Sequence, residues 1–431
     1  MASAKTHKKK KISLVKIITG ESRQNDISVS FLVYVMTLVV VGLVMMSSAS
    51  YAWAYSEHGD GLFYAKRQGF YVILGISFML LFMKIDYHNF KRVKFKPFEK
   101  LNIAAILYLF TIVLLIAVLI VGGDEGGSMG AKRWLLIGPI NFQPSEIAKF
   151  SLIIFFAANM ERDGDKMDKL SVGIGKYALI LGVYVILILA EKHISGILLI
   201  SAIAVAMILC GGVNKRWFLL FAILGVCAAT AFIVWQAHVP GSYVAVRVKS
   251  YKDPFADILN DTWQTANSII AIGSGGLFGL GFGNSRQKYL YLPETKNDFV
   301  FPIVCEELGF VGALAIIIVY FLLIVEGYSI AVRCKDRFGM LIAVGITTQI
   351  GIQTALNLAV VSNLIPNTGI SLPFFSYGGT ALVMQLVEMG IMLNISQQRY
   401  YSSDTSEEKP NTENTEQDSD NFDFDNYHIN Q

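Results

Sequence analysis

Residues 291–309 read YLPETKNDFVFPIVCEELG and place Glu294, Lys296, Asp298, Glu306 and Glu307 within fourteen positions, between long apolar runs. A carboxylate at the edge of an apolar segment can serve in two ways. It can accept a proton from a hydroxyl as a general base, or it can cap the helix that begins there. Asp298 precedes Phe299, Val300 and Phe301, whose apolar company would raise its pKa by partial desolvation, while Lys296 would oppose the rise. Glu306 and Glu307 fall a turn or two further on and suit helix packing, and Glu294 suits the loop. A second charged group lies in GAKRWLLIGPINFQPSEIAK, residues 130–149, where Lys132 and Arg133 adjoin Trp134. Pro144 there suits the first turn of a helix. On that helix Ser145 and Lys149 share a face, and Glu146 precedes Lys149 by three residues. An ion pair near the end of a membrane span is costly, so it is either functional or a tie between helices. A third group, Arg247, Lys249, Lys252, Arg286, Lys288 and Lys296, makes the long interval 237–300 basic and suits an anionic ligand such as a lipid phosphate or diphosphate.

The scaffold for these groups follows from composition. Of 431 residues, 54% are hydrophobic and only 16% charged, with mean hydropathy +0.50; soluble domains carry about 25% charged residues. Apolar runs of roughly 20 residues, the span of a bilayer, recur along the chain. The fold class is therefore all-α, a polytopic membrane protein of about ten helices near 29–49, 68–85, 102–121, 145–160, 173–190, 194–211, 217–236, 301–328, 339–361 and 379–396. Lys and Arg gather at the N-terminal KTHKKKK and in the loops 91–100, 161–169, 214–216 and 333–337, so both termini are expected in the cytoplasm of a multi-pass cell-membrane protein. The large loop between helices 7 and 8, residues 237–300, then lies outside. The division expected is a basic cytoplasmic segment at 1–28, a membrane domain at 29–398 and an acidic, disordered cytoplasmic tail at 399–431.

Several motifs set limits. Cys210, Cys227, Cys305 and Cys334 form neither a disulfide framework nor a metal spacing. The run GSGGLFGLGFG, residues 273–283, lacks the GKS/T of a nucleotide loop and reads as a re-entrant or tightly packed segment where backbone approaches a ligand or another helix. Gln349, Gln353 and Asn357 make one polar stripe, with Gln385 and Glu388 on the next span; they serve helix-to-helix hydrogen bonding or line a polar cavity. Turns at Pro366 and Gly369 would fold the loop 363–380 back over the membrane surface. Nothing points to nucleic acid.

The segments 130–149, AIGSGGLFGLGFGNSRQKYLYLPETKNDFVFPIVCEELG at 271–309, IPNTGISLPFFSYGGTALV at 365–383, and GLVMMSSAS at 42–50 followed by KRQ at 66–68 resemble the shape, elongation, division and sporulation (SEDS) family. They look most like its FtsW and SpoVE branch. The resemblance covers residues from about 30 to 398. It implies an inverting peptidoglycan glycosyltransferase that joins lipid II units into glycan strands on the outer face of the cytoplasmic membrane, for division or sporulation. The alternatives are a lipid II flippase and a non-catalytic scaffold of the division complex. By resemblance Asp298 falls at the family's essential aspartate and is the candidate base. Arg67, Lys132, Arg133, Glu146 and Lys149 fall at conserved positions, and with Arg286 and Lys288 they are the candidate contacts to the anionic substrate. The implied partners are a class B penicillin-binding protein acting as transpeptidase, other division proteins, and lipid II with the nascent strand. No cofactor is called for except, at most, Mg²⁺ or another divalent cation, for which no dedicated ligand cluster is visible. One departure stands out: many relatives read QPDLGT where this chain reads EKHISG at 191–196, so His193 holds the motif's aspartate position and a supporting carboxylate there does not carry over.

Overall fold

The computed structural model describes residues 27–91, 102–123, 132–137, 140–239, 243–258, 260 and 262–398. The basic N-terminal segment and the acidic tail lie outside the described residues. Each of the ten expected spans is a helix: α1 Val29–His58, α2 Phe63–Lys84, α3 Ile103–Val121, α4 Pro144–Asp163, α5 Tyr177–Ala190, α6 Ile194–Cys210 and α7 Lys215–Ala237. After two short helices in the long loop, α8 Tyr243–Lys252 and α9 Trp263–Ser274, come α10 Val300–Arg333, α11 Arg337–Val361 and α12 Gly379–Gln398. By length and composition, seven apolar helices suffice to cross a membrane: α1, α2, α3, α5 with the π-helical turn before it, α10, α11 and α12. The apolar α6 is shorter, and α4 is interrupted by charge. Among the described residues, a hairpin is added to the all-α plan, β1 Leu135–Ile137 against β2 Ile140–Phe142.

Helix ends are set by local chemistry. Ser28, Asn102, Asn214 and Asp336 cap α1, α3, α7 and α11 through their side-chain oxygens. Pro144 opens α4 as expected, and Gly59 closes α1 in the left-handed conformation. α11 and α12 are mostly buried and form the centre of the bundle, with α4 beside them. Outer helices present apolar side chains such as Leu109, Phe110 and Val113 outward, as a lipid-facing surface requires.

Residues from every loop expected outside meet around one shared hollow, which gathers those loops at one end. At the other end, Tyr87 hydrogen-bonds Asp336, Arg337 Nη2 donates to Gly211 O at 2.7 Å, and Asn394 Nδ2 donates to Met83 O at 2.8 Å. These ties close that end of the bundle.

Two loops shape the open end. The glycine-rich run does approach another helix. α10 breaks at Gly309 (φ 68°), and the freed backbone is taken up by Leu280 N to Glu306 O at 2.9 Å, Gly281 N to Glu307 O at 3.0 Å and Phe310 N to Gly276 O at 2.9 Å. A Cβ on Gly279 would lie 2.1 Å from Glu307 O, so no larger residue fits. The loop 363–380, by contrast, does not fold back over the surface. Ile370, Leu372, Phe374 and Phe375 are buried, and Phe374 N donates to Gln385 Oε1 at 3.1 Å. Burying that much apolar area outweighs the turn preference of its Pro and Gly residues.

Candidate active site

The open end holds a cavity of about 1260 Å³. That exceeds the roughly 300–1,000 Å³ of a pocket for one small ligand, so it has room for two substrates. Its walls come from the ends of α1, α2, α4, α5, α6, α7 and α12, from α8 and α9, from Gln353 of α11, from the hairpin at Arg133, Trp134 and Asn141, and from the loops at 293–298 and 367–371.

Asp298 lies on this wall, half-buried. The capping alternative fails: the residue preceding α10 is Phe299, and no side chain caps that helix. The Asp298 carboxylate accepts no hydrogen bond among the described residues, while its backbone carbonyl takes one from Asn357 Nδ2 at 2.8 Å. Asn357 also donates to Ile370 O at 2.6 Å and so fastens both loops to α11. A Cβ on Gly369 (φ 68°) would come within 3.1 Å of Asp298 Oδ2, so glycine lets that loop close over the carboxylate. Burial raises the Asp298 pKa to about 7; the neighbouring charge of Glu294 adds to the rise, and Arg247 and Arg133 oppose it.

Four of the candidate contacts line the same cavity. Lys149 and Glu146 are buried on α4 and paired at 2.8 Å. Arg67 projects from α2 near the Phe63 ring, and Arg133 sits at the hairpin foot beside Trp134. The polar stripe of α11 serves both purposes considered for it. Gln349 donates to Glu388 at 2.9 Å, tying two helices, and Gln353 donates to Ser371 O at 3.0 Å where it borders the cavity.

Three candidates are placed elsewhere. Lys132 is exposed, its Nζ 3.5 Å from Leu119 O, outside the cavity. Arg286 is exposed too, and only its backbone N–H is used, donating to Glu306 at 3.0 Å. Lys288 is buried in an ion pair with Glu307 at 2.9 Å, with further bonds to Ser48 Oγ at 3.0 Å and Gly283 O at 2.6 Å. A lysine so placed holds the glycine-rich loop to α1 and α10. It does not line the cavity. Conversely, Arg247 enters the site from α8, donating to Gln264 Oε1 at 3.1 Å, and His193 enters at the start of α6. Arg247 was visible in the sequence only as one cation among six.

Among the described residues, no group of three or more His, Cys, Asp or Glu is placed to hold a metal ion. A divalent cation here would have to draw on Asp298 and on oxygens of the substrate.

A helical membrane bundle with a wide cavity, lined by cations and by a carboxylate whose burial raises its pKa to about 7, has the form of a membrane enzyme that takes an anionic substrate. The chain belongs to the cell cycle protein family of FtsW, RodA and SpoVE, whose model matches residues 29–401. It is 36% identical over 368 residues, covering 85% of this chain and 95% of that protein, to a probable peptidoglycan glycosyltransferase FtsW of a Geobacter species. It is 32% identical over 367 residues, 85% of this chain and 96% of the relative, to stage V sporulation protein E of Bacillus subtilis. Its fold is similar to a chain from a solved peptidoglycan synthase complex that coordinates polymerization and crosslinking, with TM-score 0.69 and 26% identity over 86% of this chain and 97% of that one. It is also similar to the rod shape determining protein RodA of Thermus thermophilus, with TM-score 0.61 and 25% identity over 86% of this chain and 96% of that one.

Proposed function

We propose that this chain is a peptidoglycan glycosyltransferase that polymerises lipid II on the outer face of the cytoplasmic membrane, for division or sporulation. The observation that carries the mechanism is Asp298, a carboxylate that accepts no hydrogen bond among the described residues, on the wall of a cavity large enough for donor and acceptor together. The acceptor hydroxyl is a poor nucleophile until its proton is removed. Asp298 takes that proton as the hydroxyl oxygen attacks the anomeric carbon of the donor, and the lipid diphosphate leaves with the bonding electrons. One inverting displacement needs one base, unlike the two carboxylates of hydrolytic glycosidases. Arg67, Arg133 and Lys149 meet the diphosphate, whose charge they stabilise best in a site shielded from bulk water. Glu146 holds the Lys149 ammonium in place.

A class B penicillin-binding protein is the partner this reading calls for, because a tethered cross-linking enzyme works at high effective concentration on the strand as it emerges. Other division proteins would join them. Both termini are cytoplasmic in this reading, which puts the cavity outside.

The test is polymerisation of labelled lipid II by the purified chain in detergent, with and without that partner. Glycan strands are expected, and more of them with the partner. An inactive pair, combined with transbilayer movement of lipid II in vesicles, would favour a flippase instead.

A further inference from the structure

The turn between α5 and α6 carries polar side chains that the reaction described above does not use. Lys192 there has φ 56°, a left-handed conformation uncommon for a residue with a Cβ. The turn is fixed by Lys192 N donating to Leu189 O at 2.9 Å and His193 N donating to Ile188 O at 3.2 Å, which close α5. Arg133 Nη2 adds a bond to the Lys192 carbonyl at 2.7 Å. Such strain persists only where the surroundings enforce it, and it concentrates at functional sites. Its effect here is to deliver His193 to the cavity wall as the residue that opens α6.

The ring's orientation follows from Gly196. A Cβ there would lie 2.8 Å from His193 Nδ1 and 2.9 Å from Cε1, so the ring lies against bare backbone in the first turn of the helix. Nδ1 is buried and has no partner; Nε2, likewise unbonded among the described residues, is the nitrogen left open to the cavity. The positive end of α6 favours a lone pair on Nδ1 and disfavours a proton. The neutral ring therefore carries its proton on Nε2 and presents it to the cavity. Burial, then the charges of Arg133 and Lys149, push the His193 pKa down to about 3, so the ring stays neutral at physiological pH.

Arg133, Lys149 and the Nε2–H of His193 thus converge at the start of α6. Ser195 Oγ, two residues after His193, reaches Gly369 O at 3.5 Å, and Gly369 borders Asp298, so this group and the base flank the same loop. We infer that His193 is a neutral hydrogen-bond donor to the diphosphate of the lipid-linked donor sugar, stabilising the negative charge that grows there as the glycosidic C–O bond breaks. This rests on the glycosyltransferase reading. In that step the acceptor oxygen bonds to the anomeric carbon, its proton passes to Asp298, and the electron pair of the breaking bond leaves with the diphosphate. His193 keeps its own proton. A neutral imidazole at a helix N-terminus is suited to this electrophilic role because it polarises an oxyanion without being consumed as an acid.

The experiment compares wild type, His193→Ala and His193→Gln in the full chain with its penicillin-binding partner. Gln can place an amide N–H near the position of Nε2–H. Two quantities are read: lipid II polymerisation kinetics, and binding of inorganic pyrophosphate to the purified chain. His193→Ala should lower kcat about 10–100-fold, at or below the loss of a single oxyanion donor because Arg67, Arg133 and Lys149 share the load. KM should change less than about threefold, and pyrophosphate should bind several-fold more weakly. His193→Gln should recover most of both. Two results would overturn the assignment: a His193→Ala protein within twofold of wild type in both readouts, or a well-folded His193→Gln as impaired as His193→Ala. Wild-type protein that binds pyrophosphate through His193 but never polymerises lipid II would refute the glycosyltransferase reading and leave the anion site standing.

Discussion

If Asp298 is the base, turnover must follow its ionisation. With its pKa at about 7, roughly 10% of Asp298 is ionised at pH 6 and roughly 90% at pH 8, so kcat/KM should rise about tenfold across that interval. An aspartate at its ordinary value of about 3.9 would already be ionised at pH 6, and the profile would be flat. The sign is set by burial, which disfavours the charged form, and by Glu294, whose like charge adds to it. Glu294→Gln removes that like charge and should move the rising limb to lower pH. Arg247→Gln or Arg133→Gln removes an opposing positive charge and should move it to higher pH, whatever each does to the maximum rate. The assay is polymerisation of fluorescent lipid II in detergent, with strand length resolved on gels across pH 5–9. A flat wild-type profile, or a limb that Glu294→Gln shifts upward, would refute the assignment.

Three further outcomes follow. Arg133→Gln should cost at least about tenfold in turnover, whereas Lys132→Gln, outside the cavity, should cost little; equal losses in the same assay would mean the hairpin moves Lys132 into the site. Lys288→Ala strands the buried Glu307 charge and should destabilise the protein by about 3–5 kcal/mol, read as a lower Tm in detergent with lipid II affinity per folded molecule unchanged; an unchanged Tm with weakened binding would return Lys288 to the substrate. A cysteine introduced at Lys249 should label from outside intact cells and one at Ser406 should not; the reverse pattern would invert the topology.

The helices were legible because membrane spans are written in composition: runs of about twenty apolar residues leave little choice. Alternating Lys and Arg sorted the loops into two sets, and the set expected outside meets around one cavity. The position of Asp298 at an apolar edge was readable too. What could not be read was the direction of each cation. Lys288 and Arg247 share one basic interval, yet a buried glutamate nineteen residues further on claims the first and a short helix aims the second into the cavity. Only the tertiary fold settles that competition. The 363–380 loop misled for a related reason. Its Pro and Gly signal turns, but Phe374 and Phe375 fill the space between helices that no local pattern reveals. His193 stood out as a departure from a motif, but its use depends on the strained Lys192 turn and on Gly196, both matters of backbone geometry.

The most direct test of the central claim is lipid II polymerisation by Asp298→Asn. The substitution keeps the size of the side chain and leaves the Asn357 bond to the backbone carbonyl intact. The variant should fold, bind lipid II and associate with its partner as wild type does, while polymerisation falls about 100-fold or more. A well-folded Asp298→Asn protein that builds glycan strands at near the wild-type rate would contradict the account.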